Sequence, residues 1–362
     1  MATKAKSKFT ISNIFRQQIF IPLAALVILA VFNLIADPSF FKITLGTNNA
    51  GYPILSGSLI TILDYGSELA ILAIGMTIVT AATGGQDISV GAAIAIAGSV
   101  VLRVLCGNGS SDELQAPIIV AFLVSVVVAM LFGAFNGILV AYFKIQPMVA
   151  TLILYTAGRG IAQLITDGQI TYIRVKSYQV FGSYAGKFPI PMPVVIAIIV
   201  VIIAYVILKK TALGLYIESV GINGTASRLV GLNSTMIKFL TYLICGVLAG
   251  VAGFVASSRI YSADANNIGL NLEMDAILAV ALGGNALGGG KFSLMGSVIG
   301  AYTIQALTTV LYGLNVSADQ LPVYKAIVVV VIVVLQSPVF KKFIAVQKEK
   351  RTSKAAVKGG AN

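Results

Sequence analysis

The sequence predicts an all-α polytopic membrane protein with about ten transmembrane helices. Of the 362 residues, 57% are hydrophobic and 10% charged, whereas a soluble domain carries about a quarter charged residues. Apolar runs long enough to cross a hydrocarbon core of roughly 30 Å recur along the chain. These runs are continuous, as in 21–36 and 194–208. A transmembrane barrel would instead show short segments of alternating polarity, so the spanning elements are helices.

The elements follow in order. Span one covers 17–36 and leads into an outer loop with Asp37, Pro38 and Lys42. Residues 56–64 read as a short interfacial helix. Spans two and three, 66–83 and 88–105, are hinged at Thr83-Gly84-Gly85-Gln86-Asp87. A polar loop with Asp112 and Glu113 precedes span four, 117–142, and Ile145-Gln146-Pro147 introduces span five, 147–165. The stretch 167–193 is the longest non-apolar one within the spanning region. Span six is 193–208, and span seven, 236–256, follows a charged segment. A loop with Asp264, Asn266, Asn267 and Glu273 then leads to spans eight to ten, at 274–288, 293–313 and 322–340. An internal echo supports a repeat: Ala70-Ile71-Leu72-Ala73 reappears as Ala276-Ile277-Leu278-Ala279. Gly84-Gly85 with Gly91 reappears as Gly289-Gly290 with Gly296. Transporters built from repeats place the substrate path where the repeats meet.

The net charge of +12 is concentrated in three places, +4 in the head (1–16), +3 in 209–238 and +6 in the tail (341–362), and the rest of the chain carries −1. Basic residues mark the cytoplasmic side of a membrane. The expected division is therefore a basic head 1–16, a transmembrane domain 17–340 with a cytosolic segment 209–235, and a basic tail 341–362. An even number of spans returns the C-terminus to the side of the N-terminus, in agreement with this. The basic tail reads as an anchor against anionic membrane lipid rather than as a nucleic-acid site. With no His and two Cys, Cys106 and Cys245, no metal set, His-based triad or disulfide framework is implied.

Four groups of residues carry function or packing. Gly133/Gly137, Gly246/Gly250 and Gly296/Gly300 are GxxxG pairs that let helix backbones approach closely. In the hinge 84–91, Asp87 and Ser89 can cap the following helix, or Asp87 can line a path and bond a polar solute. In span five, Thr151, Tyr155, Arg159 and Gln163 are spaced by four and share one helix face. An Arg inside a span faces a cavity or a partner, so Arg159 is either a path residue or a partner of Glu68 or Asp87. In the cytosolic segment, Asn223 is a good N-cap and Gly231 a good stop for a two-turn helix, and Asn233 caps span seven. A short, capped, exposed helix is suited to docking into a partner. No Walker A pattern occurs; the Gly-rich run 284–291 ends in Phe292 where Ser or Thr would stand. If ATP is used, another chain binds it.

Across 17–340 the chain resembles the membrane permease of bacterial sugar ABC importers of the ribose/xylose/arabinose/galactofuranose type. The resemblance rests on Ala73-Ile74-Gly75-Met76-Thr77 with Gly84-Gly85-Gln86-Asp87-Ile88-Ser89-Val90-Gly91, on Asn136-Gly137, and on Lys144-Ile145-Gln146-Pro147 with Gly158-Arg159-Gly160. It continues in Gly221-Ile222-Asn223 with Gly231-Leu232-Asn233, and in Asp275-Ala276-Ile277 running into Gly283-Gly284. Gly158 to Thr166, Lys210 to Gly214 and Ala263 to Asn267 most resemble galactofuranose permeases. Gln86 departs from the pattern, which has an aliphatic residue there. The resemblance implies a bacterial inner-membrane subunit that forms a monosaccharide path by alternating access. It implies no cofactor on this chain and no catalysis by it, with ATP and Mg used by a cytosolic ATP-binding subunit. It further implies a second permease copy or sister permease and an extracytoplasmic sugar-binding protein facing 37–55, 167–190 and 259–273. The path residues are then expected to be Asp87, Ser89, Asn136, Thr151, Tyr155, Arg159 and Gln163. The coupling residues are expected to be Glu218, Gly221, Asn223, Ala226, Arg228, Gly231 and Asn233. The rival reading is an ion-coupled secondary transporter, for which Glu68, Asp87 and Asp275 would be the ionisable groups.

Overall fold

The computed structural model describes residues 20–47 and 51–336. The basic head 1–16 and tail 341–362 lie outside the described residues. The helices are α1 (Phe20–Ala36), α2 (Ser58–Thr83), α3 (Val90–Cys106), α4 (Ile118–Ala141), α5 (Pro147–Ile165), α6 (Met192–Lys210), α7 (Leu213–Ile222), α8 (Gly224–Leu229), α9 (Ser234–Ile260), α10 (Leu272–Leu282), α11 (Leu294–Gly313) and α12 (Leu321–Gln336). Two small antiparallel pairs accompany them, β1 (Thr44–Thr47) with β2 (Pro53–Ser56) and β3 (Thr171–Tyr172) with β4 (Ser262–Ala263). The chain divides into two units, 1–310 and 311–362. In the second, the described part is the end of α11, a turn and α12.

A helix stands at each predicted span. Among the described residues, six helices (α2, α4, α5, α6, α9 and α11) are long and apolar enough to cross a bilayer by themselves. Two expectations are corrected. Residues 56–64 are not a separate interfacial helix, because α2 runs unbroken from Ser58; Gly66 is a packing position against the ring of Tyr302, not a break. Span eight is only the 11-residue α10, too short to cross: it starts after Asn271 in the left-handed region and ends at Gly283, with Gly284 at φ +78° behind it. Within the loop 259–273, Ala263, Ala265 and Ile268 are buried.

The glycine pairs explain the tightest contact. A Cβ on Gly133 would lie 2.4 Å from the Tyr242 carbonyl and 3.0 Å from the Gly246 Cα, and one on Gly246 would lie 2.4 Å from the Ala129 carbonyl. The Gly133/Gly137 motif of α4 therefore packs onto the Gly246/Gly250 motif of α9, within the chain, with backbone against backbone. In lipid no hydrophobic force drives helices together, so such contacts are made by van der Waals packing. At one end of α9, Phe254 sits edge-on to Phe122, Tyr178 and Phe181, with centroids at 5.0, 5.7 and 5.2 Å. Val101, Leu105 and Ile173 complete that cluster.

The predicted repeat is visible as two helix–Gly turn–helix units, α2–α3 and α10–α11. Their turns touch: Gly290 N donates to the Ala81 carbonyl at 2.8 Å, and Gln86 Nε2 donates to the Leu287 carbonyl at 3.3 Å. Gly133→Leu is expected to force α4 from α9, with overpacking costing about 1–3 kcal/mol or more. Gly160→Ala, whose added Cβ meets nothing within 4 Å, is expected to be neutral. Size-exclusion profiles of fluorescently tagged protein in mild detergent check both.

Candidate functional site

The residues expected to line a path fall into two groups. Asp87, Ser89, Asn136 and Thr151 are all buried and lie around the turn joining α2 to α3. Asp87 Oδ1 accepts from Ser89 N at 2.9 Å and from Ser89 Oγ at 2.7 Å. Asn136 Nδ2, from α4, donates to Ser89 Oγ at 2.7 Å, and Ile88 N donates to Thr151 Oγ1 of α5 at 3.2 Å. The Ser89 hydroxyl therefore turns back to Asp87 instead of capping α3, which has no side-chain cap. This network holds three elements around one carboxylate.

Arg159 and Gln163 form the second group, and the carboxylate partners considered for Arg159 are not its partners. Arg159 Nη1 donates to the carbonyls of Ala265, Asn266 and Ile268 at 3.0–3.2 Å, and Gln163 Nε2 donates to Asn266 Oδ1. Glu68 is bound instead by Arg259, Nη1 to Oε1 2.8 Å. Arg159 thus clamps the segment 264–271, which Asp264 folds by accepting from Asn266 N and Asn267 Nδ2. Tyr155 is half-buried one turn before Arg159. The face of α5 is real, but its Thr151 end serves the Asp87 turn and its Arg159 end serves 264–271.

Some polar groupings were not read from the sequence, although Glu68 was named there as an ionisable group and Glu273 as a loop residue. Glu273 is fully buried in the first turn of α10, where the helix dipole favours a carboxylate, and it leaves room only for Gly91 opposite. Thr77 Oγ1 and Asn285 Nδ2 both donate to Ser297 Oγ, at 2.6 and 2.7 Å, joining α2, α11 and the turn between α10 and α11. Asp64, Glu68 and Arg259 form a third group. The i, i+4 spacing of the two acids on α2 was a usable signal for it.

The 209–235 segment folds into α7 and α8. Asn223 Oδ1 accepts from Thr225 N and Ala226 N, at 3.0 and 2.9 Å, and so caps α8. Gly231 ends it at φ +88°, with open space around it, so the need for glycine is in the backbone and not in packing. Asn233 Oδ1 accepts from Met236 N and caps α9. Ala226 is exposed and Glu218 half-buried. Arg228 is exposed but folds back, donating to Ser234 Oγ and Thr235 Oγ1. The tip of the segment is apolar, with Leu229 86% and Val230 77% exposed. Gly221, in α7, lies against the Ala81 carbonyl and Gly290 N so closely that no Cβ fits.

The family profile described as the permease component of branched-chain amino acid transport systems matches residues 58–336. The chain belongs to this permease family. The permease is 44% identical to the galactofuranose transporter permease protein YtfT of Escherichia coli (strain K12), over 91% of each chain. It is 37% identical to the fructose import permease protein FruF of Bifidobacterium longum (strain NCC 2705), over the full length of both. The ribose import permease protein RbsC of Escherichia coli (strain K12) is 34% identical over 87% of this permease and 92% of its own length. No solved structure matches the permease.

Asn136→Ala is expected to leave Ser89 Oγ short of a buried donor and to lower stability by about 1–3 kcal/mol. Tyr155→Phe, at a half-buried position, is expected to stay within about half a kcal/mol. Thermal melts of the two purified variants against the parent check this, and an unchanged melt for Asn136→Ala would remove the network from the stabilising interior.

Proposed function

We propose that this chain is the translocation subunit of an ATP-driven monosaccharide importer of a bacterial inner membrane, with galactofuranose the first candidate substrate. The three relatives named above are import or transporter permeases whose names specify monosaccharides, and this supports the substrate class. The subunit works with a second permease copy or a sister permease. A sugar-binding protein delivers the solute at 37–55, 167–190 and 259–273. ATP and Mg belong to a cytosolic ATP-binding subunit, and both termini and 209–235 lie on its side.

One observation carries the coupling part. α8 is capped at both ends and presents an apolar tip, while α7 beside it touches the ends of both repeat units at Ala81 and Gly290. A push on α8 is thereby delivered to α2 and to the turn after α10, and through α2 to the turn that holds Asp87, Ser89 and Asn136. Glu218, Gly221, Asn223, Ala226, Arg228, Gly231 and Asn233 make up the coupling segment in this reading. Asp87, Ser89, Asn136, Thr151, Tyr155, Arg159 and Gln163 shape the path and its gate from behind. The ion-coupled alternative has less support, because Glu68 is paired with Arg259 and Asp87 with Ser89, whereas α8 has no task in a solitary carrier.

Two experiments test the proposal. A single cysteine at 228 in a cysteine-free background is expected to resist an impermeant thiol reagent in right-side-out cells and to react in inverted membranes; labelling from outside would overturn the topology. Leu229→Asp, or Arg228→Glu with Gly231→Val, is expected to leave the permease inserted. Leu229→Asp removes an apolar contact of about 2 kcal/mol, some thirtyfold in association with the ATPase. Sugar-stimulated ATP hydrolysis by the reconstituted complex should fall with it. Normal stimulation together with lost uptake would place coupling elsewhere.

A further inference from the structure

Three parts of the chain meet at the end of α2 opposite to α7: the end of β2, the first two turns of α2 and the 183–191 loop. Leu55 N donates to the Pro189 carbonyl at 3.2 Å, and Tyr184 OH donates to the Leu55 carbonyl at 2.6 Å. Between them lies a recess of about 120 Å³, lined by Ser56, Gly57, Ile60, Thr61, Asp64 and Tyr184. A cavity of roughly 150 Å³ admits benzene, so this open recess has room for an edge of a sugar ring.

The recess is floored by a charge. Arg259 Nη2 donates to Asp64 Oδ1 at 3.1 Å and to the Asp64 carbonyl at 3.1 Å, while its Nη1 meets Glu68 at 2.8 Å. The guanidinium stacks over the Tyr65 ring, 4.1 Å from its centroid. Charges inside spanning helices are costly and point to function. Glu68 and Arg259 alone would tie α2 to α9, and they lie beneath the recess without lining it. Asp64 is the member of the triad that reaches the lining. Burial and the nearby Asp64 carboxylate hold the Tyr184 phenol above its ordinary range, so it stays a neutral hydroxyl.

We propose that this recess is a receiving site for a neutral polyhydroxylated solute, in which Asp64, held in place by Arg259, accepts hydrogen bonds from solute hydroxyls while Ser56 and Thr61 complete the contact. Carboxylate acceptors make the stronger, charge-assisted hydrogen bonds. A hard cation would need six or more oxygen ligands, and the lining offers one carboxylate. The inference rests on the import reading and places a first contact for the sugar on this chain, at the far end from the coupling segment.

The test uses the whole transporter with its partner chains in proteoliposomes, and radiolabelled D-galactose, D-fructose and D-ribose as probes. D-Galactose supplies the furanose form through its solution equilibrium, so a parent transporter that carries none of the three would overturn the substrate class proposed above and this inference with it. With a carried sugar, Thr61→Val combined with Ser56→Ala is expected to keep at least half of the sugar-stimulated ATP hydrolysis and to lose about tenfold in sugar carried per ATP. Uptake that is unchanged, or that falls only in step with ATP hydrolysis, would reduce the recess to a structural feature. A second measurement is independent of that variant's folding. Both native cysteines are buried, so Thr61→Cys presents one accessible thiol. Its reaction with a charged methanethiosulfonate reagent is expected to slow at least threefold when saturating sugar and binding protein are present; no protection would overturn the proposal.

Discussion

The carbonyl of Ala81 is where this structure is most constrained. Near the end of a helix in lipid, a carbonyl has no water to turn to, and an unsatisfied one costs several kcal/mol. Here it accepts from Gly290 N across the repeat boundary, and the backbone of Gly221 closes over it. One acceptor thus fixes the end of α2, the turn after α10 and the α7–α8 segment together. That junction cannot loosen gradually, because a backbone contact without intervening side chains is either made or broken. Such two-position contacts suit a protein that must exist in two conformations.

The two polar groups behind the expected path follow the same economy only in part. Around Asp87 the acceptor is surrounded by short side chains, Ser89, Asn136 and Thr151, each from a different stretch of chain. Around Arg159 the donor faces main-chain carbonyls of 264–271 instead of a carboxylate. Neither group is fully satisfied: Asn136 Oδ1 in the first, and Arg159 Nε and Nη2 in the second, are buried without a hydrogen-bond partner among the described residues, and such atoms are costly in a low dielectric. The arrangement makes the turn after α2 and the segment before α10 defined structures, although neither is a helix.

Much of the fold was legible in the sequence because the bilayer allows little else: continuous apolar runs located the helices, and Asn223, Gly231 and Asn233 located the ends of α8 and the start of α9. Gly133/Gly137 and Gly246/Gly250 announced a close helix contact, but not that they were each other's partners. The misreadings have physical causes. Residues 56–64 read as a helix apart from span two, whereas α2 runs on through Gly66, which makes room for Tyr302. The apolar run 274–288 looked like a span because hydropathy does not register Asn271 and Gly284 in the left-handed region. One of the two readings of Arg159 paired it with acids because charge suggests charge; carbonyls are invisible in a sequence. Arg259 escaped notice because its partners are about 190 residues away.

The pairing of β3 with β4 constrains movement. Those four residues join the chain after α5 to the chain after α9. Tyr178 then nails the same stretch to α9 twice, its hydroxyl with Ser257 Oγ and its carbonyl with Ser258 Oγ, both at 2.6 Å. The end of α9, the Phe254 cluster and 171–182 therefore form one stiff plate. Any opening of the permease on that side must be a displacement past this plate, so the hinge has to be sought in the segments that border it, and a label attached to 171–182 would report the motion of α9.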